Sequence, residues 1–234
     1  MKVSAIIAAG GNASRLGKQE GKQLLELAGH PVIYYSIKTL RPLVDEMILV
    51  IRPEDVETAS LLFPPSKNSD TPHDRPLVDK IIPGGATRTE SVRNALNAVS
   101  ADSELVLIHD GARPFVTETL IRDCLTAAHR HGAAVAAVPV HDTIKQVSTD
   151  GFVQHTPNRA ELRAAQTPQV FRSDWLKQAY ASLAPESSFT DDASLVEALG
   201  YKVNIVEGDY RNLKITTEED LCWAQEYLQC HNAK

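Results

Sequence analysis

Val3-Ser4-Ala5-Ile6-Ile7-Ala8-Ala9 runs straight into Gly10-Gly11-Asn12-Ala13-Ser14-Arg15-Leu16-Gly17. The first half is short and almost continuously apolar, which is how a strand covered on both faces reads. The second half is a loop of small residues that carries an arginine. A loop of this kind, leaving the carboxyl end of a first parallel strand, lies where open α/β sheets bind their ligands. Small side chains let backbone N–H groups approach phosphate oxygens, and Arg15 supplies a forked charge for them. A Gly-Gly pair taken alone reads as a plain turn, so the loop draws its weight from the residues downstream of it. Neither G-x-x-x-x-G-K-[ST] nor G-x-G-x-x-G is present, so this is neither a P-loop nor a dinucleotide fingerprint.

The rest of the chain continues the alternation. Met47 to Ile51, Val78 to Ile82, Leu105 to Ile108 and Ala134 to Val140 are further apolar runs of strand length. Between them, Val92, Ala95, Leu96 and Val99, and then Leu120, Ile121, Cys124, Leu125 and Ala128, recur at helical spacing. Thr87 followed by Glu90 has the form of a capping box. Alternation of this kind predicts βαβ units: a Rossmann-like, doubly wound, mostly parallel α/β sheet in one domain spanning residues 1–234. Later elements are a helix around Trp175 to Leu183, another from Asp191 to Leu199 stopped by Gly200, and a strand over Val203 to Val206. Thr216 with Glu219 is expected to cap a final helix.

Two segments break the rhythm. Residues 64–76 are polar and proline-rich and read as a surface loop or insertion. In 141–157, Asp142-Thr143-Ile144-Lys145-Gln146-Val147 alternates polar and apolar, Asp150-Gly151 is a hairpin turn signal, and Phe152-Val153-Gln154-His155-Thr156 resumes. That predicts a β-hairpin arm protruding from the core. A lone hairpin is marginal in water, so the arm is expected to pack on a second copy of the chain, giving a homodimer.

Bulk properties narrow the function. A net charge of −6 argues against a general nucleic-acid binder, and any phosphate site must be built from a few placed cations. No apolar run approaches the ~18 residues of a membrane span, and the first strand is cut short by Gly10-Gly11-Asn12 before it could serve as a signal peptide. A cytoplasmic protein is expected. Cys124, Cys222 and Cys230 form no C-x-x-C pair and read as free thiols. His129 and His131 are two apart on a helical pattern and point to different sides, which disfavours a metal pair.

After Arg15 comes Lys22-Gln23-Leu24-Leu25, then Gly29-His30-Pro31-Val32. Further on stand Gly84-Gly85-Ala86-Thr87-Arg88-x-x-Ser91, Ile108-His109-Asp110-Gly111-Ala112-Arg113-Pro114, and Asp142-Thr143-Ile144-Lys145. Gln166-Thr167-Pro168-Gln169, Thr190-Asp191-Asp192-Ala193-Ser194 and Asn212-Leu213-Lys214-Ile215-Thr216 complete the series. In this order, from residue 3 to about 228, the set resembles the 2-C-methyl-D-erythritol 4-phosphate cytidylyltransferase family, within the sugar-phosphate nucleotidyltransferases. The sequence departs from the family at Ala13, where a second glycine is usual, and at Gly21, where proline is usual.

The resemblance implies condensation of CTP with methylerythritol phosphate, with Mg²⁺, to give a cytidine diphosphate alcohol and pyrophosphate. It implies that Arg15 and Lys22 stabilise the transition state and that Arg159 and Lys214 position the acceptor phosphate. Backbone around Ala8, Ala9, Gly10, Gly11, Asn12, Ala13 and Ser14 would hold the nucleotide, with Gly84, Gly85, Ser91, Asp110 and Gly111 completing its site. Arg113, Thr143, Thr167 and Thr190 match acceptor-binding positions, Thr143 and Arg113 reaching in from a neighbouring subunit. Asp110, at the end of a buried strand, also suits Mg²⁺ or a ribose. Lys214 stands between Leu213 and Ile215, an apolar context in which a lysine needs a partner. His109 is assigned no catalytic role, because an attacking phosphate is already ionised. Two alternatives remain open on these residues: transfer to another polyol phosphate such as ribitol 5-phosphate, and a non-catalytic nucleotide-sensing module.

Overall fold

The computed structural model describes residues 1–10, 22–64, 75–183 and 189–232. The strands are β1 (Val3–Ala9), β2 (Glu26–Leu27), β3 (His30–Pro31), β4 (Glu46–Ile51), β5 (Lys80–Pro83), β6 (Leu105–Asp110), β7 (Ala133–Pro139), β8 (Gln146–Val147), β9 (Val153–His155), β10 (Arg163–Arg172) and β11 (Asn204–Glu207). The helices are α1 (Val32–Leu40), α2 (Val56–Leu62), α3 (Arg88–Asn97), α4 (Glu118–His131), α5 (Ser173–Ala181), α6 (Asp192–Ala198) and α7 (Glu218–Asn232). One sheet has the order β11-β7-β10-β6-β1-β4-β5. All its pairings are parallel except those of β10, which runs antiparallel to both β6 and β7.

Both faces of this sheet are covered, which explains the unbroken apolar runs. Ala5, Ile7 and Leu49 point to a core shared with α1 and α4 residues such as Ile33, Ile37 and Ile121. Ile6, Ile48 and Val50 point the other way, to Val92 and Leu96 of α3 and Leu176 of α5. A smaller cluster joins Leu27, Val32 and Ile215 to Ala224 and Leu228 of α7.

The expected strand at 78–82 is found two residues later, at Lys80–Pro83, and the other early strands lie within two residues of their predicted ends. The Thr87–Glu90 capping box forms at the start of α3 with both of its bonds. At α7 the cap is one residue along from the expected pair. Thr217 Oγ1 accepts from Asp220 N, and the Asp220 carboxylate accepts from Thr216 and Thr217 N–H. Aspartate is shorter than glutamate, and from this register it reaches both amides. The long strand β10 is absent from the sequence reading. Pro168 lies within it, and proline argues against a central strand. The strand absorbs it through a register shift between Ala165 and Gln169 against β7.

The 141–157 arm forms a separate two-stranded sheet of β8 and β9, with Gly151 in the left-handed region at its turn. Its ladder is shorter than the alternation suggests. Ile144, Val147, Phe152 and Val153 are all exposed. Most of the 64–76 insertion lies outside the described residues.

Candidate active site

The parallel strands deliver their carboxyl ends to one row. Ala8 pairs with Asp110, Ala9 with Ile51, and Ile51 with Pro83. The next residues of each strand, Gly10, Arg52, Gly84 and Gly111, therefore share one edge of the sheet. Gly84 N–H bonds back to the Ile51 carbonyl and Gly111 N–H to the Ala8 carbonyl, so both turns are tied to the row.

Ser91 lies between two of these turns. Its hydroxyl donates to the Thr87 carbonyl at 2.8 Å and accepts from Gly85 N–H at 3.1 Å. A Cβ built on Gly10 would stand 2.7 Å from Ser91 Oγ, and one on Gly84 would stand 2.8 Å from it. A side chain at either position would have to displace the Ser91 hydroxyl. In front of them opens a cleft of about 410 Å³ lined by Gly10, Arg52, Gly84, Gly85, Thr87 and Arg88, among others. Bare backbone at the carboxyl edge of a parallel sheet suits a base or phosphate at close range.

Beside the cleft, Asp110 gathers cations. Lys214 Nζ lies 2.8 Å from Oδ2, Arg113 Nε 3.5 Å from Oδ2, and Arg88 Nη2 3.6 Å from Oδ1. Burial works to raise the Asp110 pKa, but Lys214, Arg88 and Arg113 outweigh it and hold the carboxyl well below the usual range. Asp110 is thus an anion throughout the physiological range. Lys214 belongs to the extended segment after Asn212 rather than to a strand, and Ile215 N–H bonds the Ala112 carbonyl. The partner that its apolar context called for is Asp110.

Arg88, the first residue of α3, was not singled out from the sequence as a site residue. Its Nη2 is 2.7 Å from Asp192, which is fully buried and also accepts the Tyr180 hydroxyl at 2.5 Å. Burial works against the Arg88 charge, but Asp192 and Asp110 more than restore it, and its pKa is raised. Arg88 and Asp192 stood within quoted motifs; Tyr180 gave no sequence signal apart from core spacing.

Thr167 is 3% exposed, and its hydroxyl faces Asp110 N and the His109 ring. It stands behind Asp110 rather than on an open surface. His109 is fully buried and its pKa is lowered to about 4, chiefly by burial. Arg113 was expected to act on a neighbouring subunit. In its own chain its guanidinium is engaged, by Asp110 and by the Asn212 carbonyl at 2.7 Å. Thr190 is exposed and precedes Asp191, the N-cap of α6. Thr143 and Arg159 are exposed at the base of the arm, where Arg159 Nη1 bonds the His141 carbonyl at 2.5 Å. Among the described residues no hydrogen bond or ion pair joins either of them to Asp110 or Lys214.

Gly11, Asn12, Ala13, Ser14 and Arg15 lie outside the described residues. Lys22 opens a short 3-10 turn, Lys22–Leu24, and only its backbone is described. Among the described residues no group of three or more His, Cys, Asp or Glu is arranged to hold a metal, and no helix is long and apolar enough to cross a membrane. The three cysteines are free, and burial pushes the Cys124 thiol up to about 12.

The family model of the 2-C-methyl-D-erythritol 4-phosphate cytidylyltransferases (IspD) matches residues 3–230. The chain belongs to this family. It is 43% identical to the enzyme of that name from Caldanaerobacter subterraneus over 98% of this chain and 100% of the relative. With the one from Syntrophotalea carbinolica it shares 44% identity, over 97% of each. A crystal structure of 4-diphosphocytidyl-2C-methyl-D-erythritol synthase from Anaerococcus prevotii superposes with a TM-score of 0.83 at 35% identity, covering 97% of this chain and 98% of that one. The Thermus thermophilus cytidylyltransferase gives 0.77 at 32% identity, covering 98% and 100%.

Proposed function

We propose that this chain joins CTP to 2-C-methyl-D-erythritol 4-phosphate, releasing pyrophosphate and forming the cytidine diphosphate alcohol of isoprenoid precursor synthesis. The observation that carries the reading is the adjacency of two features at one sheet edge. A glycine cradle around Ser91 accepts a nucleotide base, and the Asp110–Lys214–Arg88–Arg113 cluster meets phosphate. The acceptor phosphate attacks the α-phosphorus in line, so the protein has mainly to position two anions and balance the charge that builds between them.

Gly10, Gly84, Gly85 and Ser91 hold the nucleotide, with Ala8, Ala9 and Gly111 as the frame behind them. Lys214 and Arg159 position the acceptor phosphate, with Thr143 and Thr190 nearby in the assembled site. Arg15 and Lys22 stabilise the transition state. Asp110 fits Mg²⁺ in one respect: it is an ionised carboxylate at the edge of the cleft, held well below the usual carboxylate range by its cationic neighbours. Mg²⁺ needs few protein oxygens when phosphates and water supply the rest. When bound, it would neutralise triphosphate charge. The arm, with four exposed apolar side chains, supports a homodimer in which each copy supplies Thr143 and Arg159 to the other. A reducing cytoplasm suits the three free thiols.

Incubation with CTP, Mg²⁺ and one acceptor at a time tests the reading. Pyrophosphate release is expected with methylerythritol phosphate. Faster turnover of ribitol 5-phosphate would reassign the acceptor, and CTP binding without pyrophosphate release from any polyol phosphate would leave a sensor.

A further inference from the structure

We propose that Tyr210 is a positioning residue that clasps the root of the arm to the segment carrying Lys214. By holding the root, it aims Thr143 and Arg159 at the acceptor site of a second copy. This role rests on the cytidylyl-transfer reading and the dimer proposed above. Tyr210 touches no substrate in it and acts through the arm.

The main sheet stops just short of the arm. β11 follows β7 as far as Glu207 beside Ala137, and Gly208 N–H adds one more bond to the Ala137 carbonyl at 2.8 Å. β10 follows β7 as far as Pro139, opposite Arg163. Among the described residues, no strand pairing then holds the chain until Gln146 meets His155 inside the arm. The unpaired stretch contains His141, Asp142 and Thr143, and the returning one contains Arg159.

Tyr210 bridges this gap. Its ring stacks on the His141 ring, with centroids 4.5 Å apart and planes 27° from parallel. Its hydroxyl donates to the Pro139 carbonyl at 2.6 Å. The His141 carbonyl accepts Arg159 Nη1 at 2.5 Å, so both strands of the root are tied to one side chain. The turn that bears Tyr210 is itself held firmly. The Asp209 carbonyl accepts Gln166 Nε2 and Asn212 N–H, each at 2.9 Å, and the Asp209 carboxylate grips the Arg211 guanidinium. Further along the same segment, Lys214 reaches Asp110 at 2.8 Å.

Core packing does not account for these contacts. Tyr210 is 49% exposed and joins none of the three apolar clusters. What its ring and hydroxyl fix is the direction in which the chain leaves the sheet. One segment therefore serves two sites: it carries Lys214 for its own and aims the arm for the other.

Tyr210→Ala removes both contacts, and Tyr210→Phe removes only the hydroxyl bond. With the dimer intact by light scattering, Tyr210→Ala is expected to lower kcat/KM for methylerythritol phosphate about tenfold or more, as a small misplacement does. CTP binding by calorimetry should stay within about threefold of the parent, and so should the acceptor kcat/KM of Tyr210→Phe. Mixed dimers of Tyr210→Ala with Lys214→Ala, co-expressed with two tags and purified on both, show which site Tyr210 serves. In them one site combines the intact Lys214 of the first copy with the intact arm of the second, so about half of the parent activity should return. No return would mean that Tyr210 acts on Lys214 of its own chain, and would overturn the proposal. In the free protein, ¹⁵N order parameters over residues 141–145 should fall in Tyr210→Ala from about 0.85 towards about 0.6, while Lys214 stays rigid. An unchanged root overturns the clasp. The relaxation measurement needs neither substrate nor a second copy. A parent that is monomeric or inactive on every polyol phosphate, yet whose root loosens in Tyr210→Ala, would count against the dimer or the assigned reaction and not against the clasp.

Discussion

The Lys214 ammonium and the Asp110 carboxylate lie 2.8 Å apart, and Arg113 and Arg88 approach the same carboxylate at 3.5 and 3.6 Å. One buried anion thereby orients three cations that would otherwise repel one another. A cationic edge is assembled in advance of the substrates, so its reorganisation energy is met during folding and not during the reaction.

Lys214→Ala takes away the most exposed of those cations, with its side chain 37% exposed. Arg88 and Arg113 still balance Asp110, so folding should survive. We expect kcat/KM for the acceptor to fall about a hundredfold or more, a typical effect of removing one charge-stabilising group. CTP affinity by calorimetry should change much less. Equal losses in acceptor turnover and CTP affinity would mean that Lys214 serves the nucleotide instead.

Gly84→Ala probes the cradle. The new methyl would stand 2.8 Å from Ser91 Oγ and 3.3 Å from the Ile51 carbonyl. One neighbour is a side-chain tip; the other is backbone. Overpacking of this kind costs about 1–3 kcal/mol, and the cleft is where the shift must go. Weaker CTP binding by calorimetry is expected. No loss would show that the nucleotide does not approach this turn.

Glu46 gives the acid dependence of stability. It is 6% exposed at the amino end of β4, where it accepts from Lys80, Ser4 and Ser100. Burial pushes its pKa up, but those donors outweigh it and bring the value from an ordinary 4.5 down to about 2. A depressed carboxylate contributes stability above its unfolded pKa and loses it as pH falls through the folded value. Glu46→Gln should therefore cost about 3 kcal/mol at neutral pH. In denaturant titrations this deficit should close between pH 4.5 and about 2. A deficit that did not vary with pH would point to lost packing and not to charge.

How much the sequence reveals depends on how locally each feature is encoded. β1 and β6 declare themselves because both faces are buried, and Asp110 because it ends such a strand. The Lys214 partnership was half legible: the apolar neighbours required a partner without naming it. β10 was hidden because Pro168 and the polar Gln166 and Gln169 spoil its pattern. Those glutamines are internal ties, Gln166 to the Asp209 carbonyl and Gln169 to Asp191. The Arg88–Asp192–Tyr180 contact joins α3 to the consecutive helices α5 and α6, with Arg88 and Asp192 104 positions apart, and no local periodicity encodes that. The arm was legible in type but not in extent, since its alternation continues past the residues that pair.

The arm carries the remaining prediction. Val147 and Val153 are cross-strand partners, 56% and 58% exposed, with Phe152 at 71% beside them. Apolar side chains directly opposite on a ribbon this exposed need a cover, and in the homodimer proposed above a twofold copy would supply one through the same patch used twice. Val147→Asp with Val153→Lys places opposite charges across the ladder, so the hairpin keeps a favourable pair while its apolar face is lost. Light scattering should then report a monomer of 25.6 kDa. With the proposed dimer lost, transfer should be abolished, because Thr143 and Arg159 would no longer reach a second copy. CTP binding should largely survive, since Gly10, Gly84 and Ser91 all belong to one chain. A parent protein that is fully active as a monomer would remove the arm from the catalytic site.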